Sequence, residues 1–307
     1  SSAQLMKDLN INGFNTTLAD IYHKSDDANV KKAMLVALVD LKYPQIGNLV
    51  DDALASKKRS LRSAALGMLS KVDIPTDLLP GMVENVLQKG SRRDKQNLFE
   101  SLGGMPLAKT NAVFEGLIER VKAKEIQQSV MLDLTEAIEK SGSAELLTKL
   151  NAVKPNETLL DQYSEALTGG DRRKGYRYFN NNSSGQCVRC HAIGGNGGDL
   201  GPELGSIGKT LSREQILESL VDPSARLSPG YGSVFLTLKD GQEVSGILAE
   251  EREDELIITT SDAEPLEIPI SRIAKRENMP SGMPPMAMLM SKREMRDLVE
   301  FLANLRK

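Results

Sequence analysis

Residues 30–69 read VKKAMLVALVDLKYPQIGNLVDDALASKKRSLRSAALGML, and the spacing of their apolar side chains decides the first half of the fold. Met34, Leu35, Leu38 and Leu41 fall at the 3.6-residue period of an amphipathic helix, and Leu61, Ala65, Leu66 and Leu69 repeat the pattern. Between them Ile46, Leu49, Val50, Ala53 and Leu54 mark a second helix. Working outward, Leu98, Phe99 and Leu102, then Val130, Met131, Leu134 and Ile138, continue the first series. Leu79, Met82, Val83, Val86 and Leu87, then Val113, Leu117, Ile118 and Val121, continue the second. Equivalent leucines recur about 31 to 33 residues apart, as Leu35 does with Leu66 and Leu54 with Leu87.

A fixed two-helix period predicts a stacked helical solenoid over residues 1–164. A plain helical bundle would carry the same helices with less regular spacing. The period resembles short HEAT-type repeats, which implies an extended face for docking partners or, more simply, a rigid shoulder for the C-terminal half of the chain. The charged runs Lys57-Lys58-Arg59 and Arg92-Arg93-Asp94-Lys95 are expected in solvated turns between helices, and His23 is expected to be structural or exposed.

Composition narrows the function classes. With 307 residues, 40% hydrophobic and 26% charged, the chain has the make-up of an ordinary globular protein of about two domains. No stretch reaches the ~18 uninterrupted apolar residues of a membrane-spanning helix. A net charge of −3 gives no electrostatic case for nucleic acid. Aromatic residues make up 4% and Trp is absent, which disfavours stacking platforms. The sequence begins at Ser1 with no signal segment, so either a leader has been removed or the chain is part of a longer protein. What stands out is an inventory of 2 Cys, 2 His and 12 Met.

Both cysteines and one histidine sit in Cys187-Val188-Arg189-Cys190-His191, the spacing at which a c-type haem is attached. Two thiols three positions apart suit the two vinyl groups of one porphyrin, and the next residue supplies an axial imidazole. A structural zinc site would need four ligands, and a thioredoxin-like pair would be expected beside a βαβ unit; neither pattern is present. The expectation is one covalent haem c on Cys187 and Cys190, with His191 on the iron.

The flanking residues resemble class I cytochromes c. Gly175-Tyr176-Arg177-Tyr178-Phe179 is similar to their first helix, and Gly194-Gly195-Asn196-Gly197-Gly198-Asp199-Leu200-Gly201-Pro202-Glu203-Leu204 comes after the motif. The resemblance implies that the Pro202 carbonyl accepts a hydrogen bond from His191, that Leu204 packs on the cofactor, and that a methionine before the last helix is the second axial ligand. Six methionines lie between Met279 and Met295. Met283 is preferred at that position and Met279 is the competitor. Ser212-Arg213-Glu214-Gln215 and Ser291-Lys292-Arg293-Glu294 are capping boxes that start two helices.

Between about 232 and 273 the period changes to 2. Val234, Leu236 and Leu238 alternate before the turn signal Asp240-Gly241, Val244 and Leu248 come after it, and two further strands are read at 256–260 and 266–270. A mainly α chain is therefore expected: a HEAT-like solenoid, then over residues 165–307 a cytochrome c helical domain with an inserted antiparallel β element. That combination resembles the haem-binding cytochrome c domain of Planctomycetes, Verrucomicrobia and Bacteroidetes. The resemblance implies an exported electron-transfer module, fused or docked to a sugar or alcohol dehydrogenase. Two alternatives stay open: a haem sensor or peroxidase-like enzyme with an open iron site, and a non-redox interaction scaffold. No catalytic proton-transfer or nucleophile set is evident.

Overall fold

The computed structural model describes residues 14–181, 185–260 and 264–306. It is mainly α with a small antiparallel sheet. The chain divides into two compact units between Lys154 and Pro155. That division lies ahead of the expected one at residue 164. Its physical reason is a short 3₁₀ segment, Asp161–Ala166, whose Tyr163 and Ala166, together with Leu160 just before it, pack into the core of the second unit.

The first unit contains α1 (Phe14–Lys24), α2 (Ala28–Asp40), α3 (Ile46–Ala55), α4 (Arg59–Leu66), α5 (Leu79–Lys89), α6 (Arg92–Gly103), α7 (Leu107–Lys122), α8 (Met131–Lys140) and α9 (Ala144–Val153). The apolar stripes read from the sequence face one continuous core, with Leu35, Leu38, Leu66, Leu98, Phe99 and Ile138 fully buried. Each such side chain contributes about 1.5–3 kcal/mol of burial energy. Gly103 lets α6 approach α8 closely, because a Cβ there would stand 2.8 Å from the Cα of Ala137.

One charged run departs from its expected place. Arg92-Arg93-Asp94-Lys95 is the first turn of α6, and Asp94 and Lys95 are buried there. Ser91 and Asp94 form a reciprocal capping box, and Arg62 of α4 meets Asp94 at 3.1 Å. The Asp94 carboxylate is satisfied by a cap and a cation together, which is what lets a charge be buried at this position. Burial alone would raise its pKa, but the Ser91 hydroxyl and amide and the Arg62 guanidinium outweigh it and hold the group below the usual carboxylate range. His23 is exposed and stands edge-on to the ring of Tyr22.

The second unit is organised by two helices, α10 (Arg172–Asn181) and α14 (Lys292–Leu302). They cross where Gly175 presents no side chain, since a Cβ there would collide with the Asp297 carbonyl and Phe301. The ring of Phe301 packs against Tyr176 at 5.6 Å and Phe179 at 5.9 Å. At the start of α10 the Asp171 amide donates to Asp297 Oδ1 at 2.7 Å. Between these helices in sequence lie α11 (Cys187–Cys190), α12 (Ile207–Thr210) and α13 (Arg213–Val221). Both capping boxes read from the sequence are formed, Ser212 with Gln215 and Ser291 with Glu294.

A two-stranded pair, β1 (Ala192–Ile193) and β2 (Asn196–Gly197), comes directly after α11. The larger sheet contains β3 (Ser233–Leu238), β4 (Glu243–Glu251), β5 (Glu255–Thr259), β6 (Leu266–Pro269) and β7 (Ile273–Asn278), in the antiparallel order β6-β5-β4-β3-β7. Val234, Leu236, Leu238, Val244, Leu248, Leu256, Ile258 and Ile268 bury one face. Gly241 turns the first hairpin at φ 89°. The sheet runs five residues past its expected end at 273. Ile273-Ala274-Lys275-Arg276-Glu277-Asn278 has no apolar alternation; its order comes from pairing with β3 along Val234↔Asn278 to Thr237↔Lys275.

Candidate functional site

The Cys-x-x-Cys-His segment folds as a single helical turn. The His191 amide closes it on the Cys187 carbonyl at 2.9 Å, and Gln186 enters it in the left-handed region at φ 45°. The glycine-rich loop then laces back over that turn. Gly198 N donates to Val188 O at 2.9 Å, Gly201 N to Cys190 O at 2.8 Å, and Leu204 N to Ala192 O at 2.9 Å. Two glycines are required by close approach. A Cβ at Gly198 would strike the Arg189 carbonyl, and one at Gly201 would stand 2.6 Å from Cε1 and 2.8 Å from Nδ1 of His191.

His191 Nδ1 lies 2.9 Å from the Pro202 carbonyl oxygen. A carbonyl only accepts, so Nδ1 carries the proton in this bond and Nε2 is left with a lone pair in the neutral ring. The imidazole is thus fixed in orientation and tautomer by the loop that comes after it.

Glu203 has a role that sequence reasoning missed. Its Oε1 accepts from Gly194 N at 2.7 Å and its Oε2 from Gly205 N at 2.8 Å. One carboxylate therefore ties both ends of the glycine loop on either side of Pro202.

Cys187 is half-buried and Cys190 is exposed. Burial pushes the Cys187 thiol up, and the neighbouring Cys190 adds to the effect. Cys187, Leu204 and Met283 all pack against the same core, which holds Phe179, Leu217, Met286 and Met295. The methionine segment is fixed by the turn after α13: Asn278 Nδ2 donates to Ser224 O at 2.9 Å, Ser281 N to Ser224 Oγ at 3.0 Å, and Met283 N to Ser281 Oγ at 3.1 Å. Met279 lies 45% exposed, whereas Met286, Met290 and Met295 are buried among apolar side chains.

The structure therefore joins His191 directly to Pro202 and sets Cys187, Leu204 and Met283 on one core. It leaves Cys190 outside that core. The expected covalent haem c, with His191 and Met283 as iron ligands, is corrected by this arrangement. Among the described residues no group of three or more His, Cys, Asp or Glu side chains could hold a metal ion. Cys187, Cys190 and His191 lie within five residues of one another, but Cys187 packs on the core, Cys190 is exposed and His191 is held by Pro202.

No helix among the described residues is long and apolar enough to cross a membrane. Compared with known proteins, the chain matches no family model and no curated protein, which leaves the expected membership of the cytochrome c family without support.

Proposed function

We propose that the chain is an electron-transfer protein with its working site at the Cys187–His191 segment, exported and serving a dehydrogenase partner. The observation that carries this reading is the bond from His191 Nδ1 to the Pro202 carbonyl at 2.9 Å. It holds the His191 ring in one orientation and one tautomer, on a scaffold of backbone bonds that resists reorganisation, as an electron-transfer site requires. The dehydrogenase oxidises a sugar or alcohol, and is either joined to this chain in one polypeptide or docked to it.

The first unit is read as a HEAT-like repeat array that presents the docking face. Polar bridges between successive helix pairs support this. Tyr22 donates to Asp52, Arg62 to Asp94, Arg120 to Glu84 and Lys149 to Glu115, at separations of 30, 32, 36 and 34 residues. Such a recurrent separation is the polar counterpart of the leucine period. The same bridges favour a second reading, a non-redox interaction scaffold, in which the second unit only adds surface.

The two readings separate by a redox titration of the full chain purified from the periplasm of an exporting host. Electron transfer predicts a reversible couple that Cys187→Ser/Cys190→Ser abolishes. A redox-silent chain would overturn it in favour of the scaffold.

A further inference from the structure

Four cations crowd the first two turns of α10: Arg172, Arg173, Lys174 and Arg177, all exposed. None forms an ion pair among the described residues. The neighbouring carboxylates are already engaged. Asp171 Oδ1 accepts from the amides of Arg173 and Lys174, Asp297 is buried against the Asp171 amide, and Glu300 is held by Arg213 at 2.9 Å. Three of these cations, with Asp171, Tyr176 and Phe301, line an open cleft of about 760 Å³.

This placement is unfavourable for the helix itself. Positive charge at a helix start opposes the macrodipole, and Arg173 and Arg177 repel each other at i,i+4. Stability alone would favour acids here. The chain as a whole is acidic at −3, so the cluster is a local reversal of its field. Tyr176 stands 56% exposed beside the arginines, edge-on to Phe301. Exposed Tyr and Arg together are the side chains enriched where protein interfaces concentrate their binding energy.

We propose that the exposed face of α10 is a docking surface for an acidic protein, with Arg172, Arg173 and Arg177 pairing with its carboxylates and Tyr176 packing at the centre. The identity of that protein as a redox partner rests on the electron-transfer reading; the cationic docking face does not. Steering of an acidic partner by such a patch raises the association rate and makes it fall steeply with salt.

The test uses the full chain and fluorescent poly-L-glutamate, with binding read by anisotropy at low and high salt. Arg173→Glu/Arg177→Glu is the patch variant, and Lys57→Glu/Lys58→Glu on the first unit is the control. Acids near a helix start suit its dipole, so the patch variant retains its fold, which circular dichroism verifies. The expected result is about a tenfold loss of affinity in the patch variant and none in the control, with wild-type binding suppressed by salt. Equal binding by all three proteins, or equal losses in both variants, would overturn the proposal. Displacement of the polymer by inorganic phosphate at millimolar concentration would also overturn it, and would mark a small-anion site instead. A redox titration of the patch variant keeps the two readings apart, because the proposed couple is unaffected by the loss of docking.

Discussion

Gly201 lies against the imidazole of His191, so closely that a Cβ on it would stand 2.8 Å from Nδ1. The ring cannot keep its bond to Pro202 and also make room for a methyl group there. Gly201→Ala is therefore expected to displace the ring and break the bond from Nδ1, at a cost of about 1 kcal/mol for the bond itself. Nitrogen-15 NMR of His191 checks this. The wild type should show the Nδ1–H tautomer alone, and the variant a mixture.

Glu203→Gln should loosen the same site from further out. An amide has one oxygen with which to accept, and the carboxylate here uses both of its own, on Gly194 and Gly205. One loop end then loses its charge-assisted bond, worth about 1.5–3 kcal/mol. Amide hydrogen exchange across 194–205 should accelerate, while exchange in α6 of the first unit stays unchanged.

Gly175→Ala tests the helix crossing. Overpacking of this kind costs about 1–3 kcal/mol or more, and the obstacle here is the backbone of Asp297, which cannot rotate away. Calorimetry should show a lowered transition for the second unit and an unchanged one for the first. A single unchanged profile would mean that α10 and α14 do not pack as described.

Two buried aspartates should respond to pH in opposite senses. Asp94 has a folded pKa below its unfolded one, so its contribution is present above the unfolded value and is lost as pH falls through the folded one. Asp297 is shifted upward, chiefly by burial, against the opposing Asp171 amide and the charges of Arg296 and Lys174. Its contribution is present below the unfolded pKa and is lost as pH rises through the folded one. Hydrogen exchange between pH 3 and 7 should therefore show α6 losing protection toward acid, a trend that Asp94→Asn flattens. In α14, Asp297→Asn should remove a component of opposite slope.

Much of this fold is legible locally. The helix pairs come from leucine spacing, both late capping boxes from Ser-x-x-Gln and Ser-x-x-Glu, and the first hairpin from Asp240-Gly241. What escapes local reading is set by partners distant in sequence. Strand β7 has no apolar alternation and is ordered by β3. Asp94 reads as a solvated charge until Arg62, 32 residues earlier, arrives beside it. At the site, the pairing of His191 with Pro202 is short-range; the Cys-x-x-Cys-His spacing singles out His191, whereas Pro202 is implied only by the family resemblance. The Glu203 clamp is not legible, because nothing in a one-dimensional string distinguishes an acid in a loop from one that holds the loop together.

The central claim, that the Cys187–His191 segment is the site of electron transfer, is tested most directly by protein-film voltammetry of the full chain and of Cys187→Ser/Cys190→Ser. The account predicts a reversible wave in the wild type that disappears in the double variant while circular dichroism is unchanged. A wild-type film with no wave, or a wave that persists in the double variant, would contradict it.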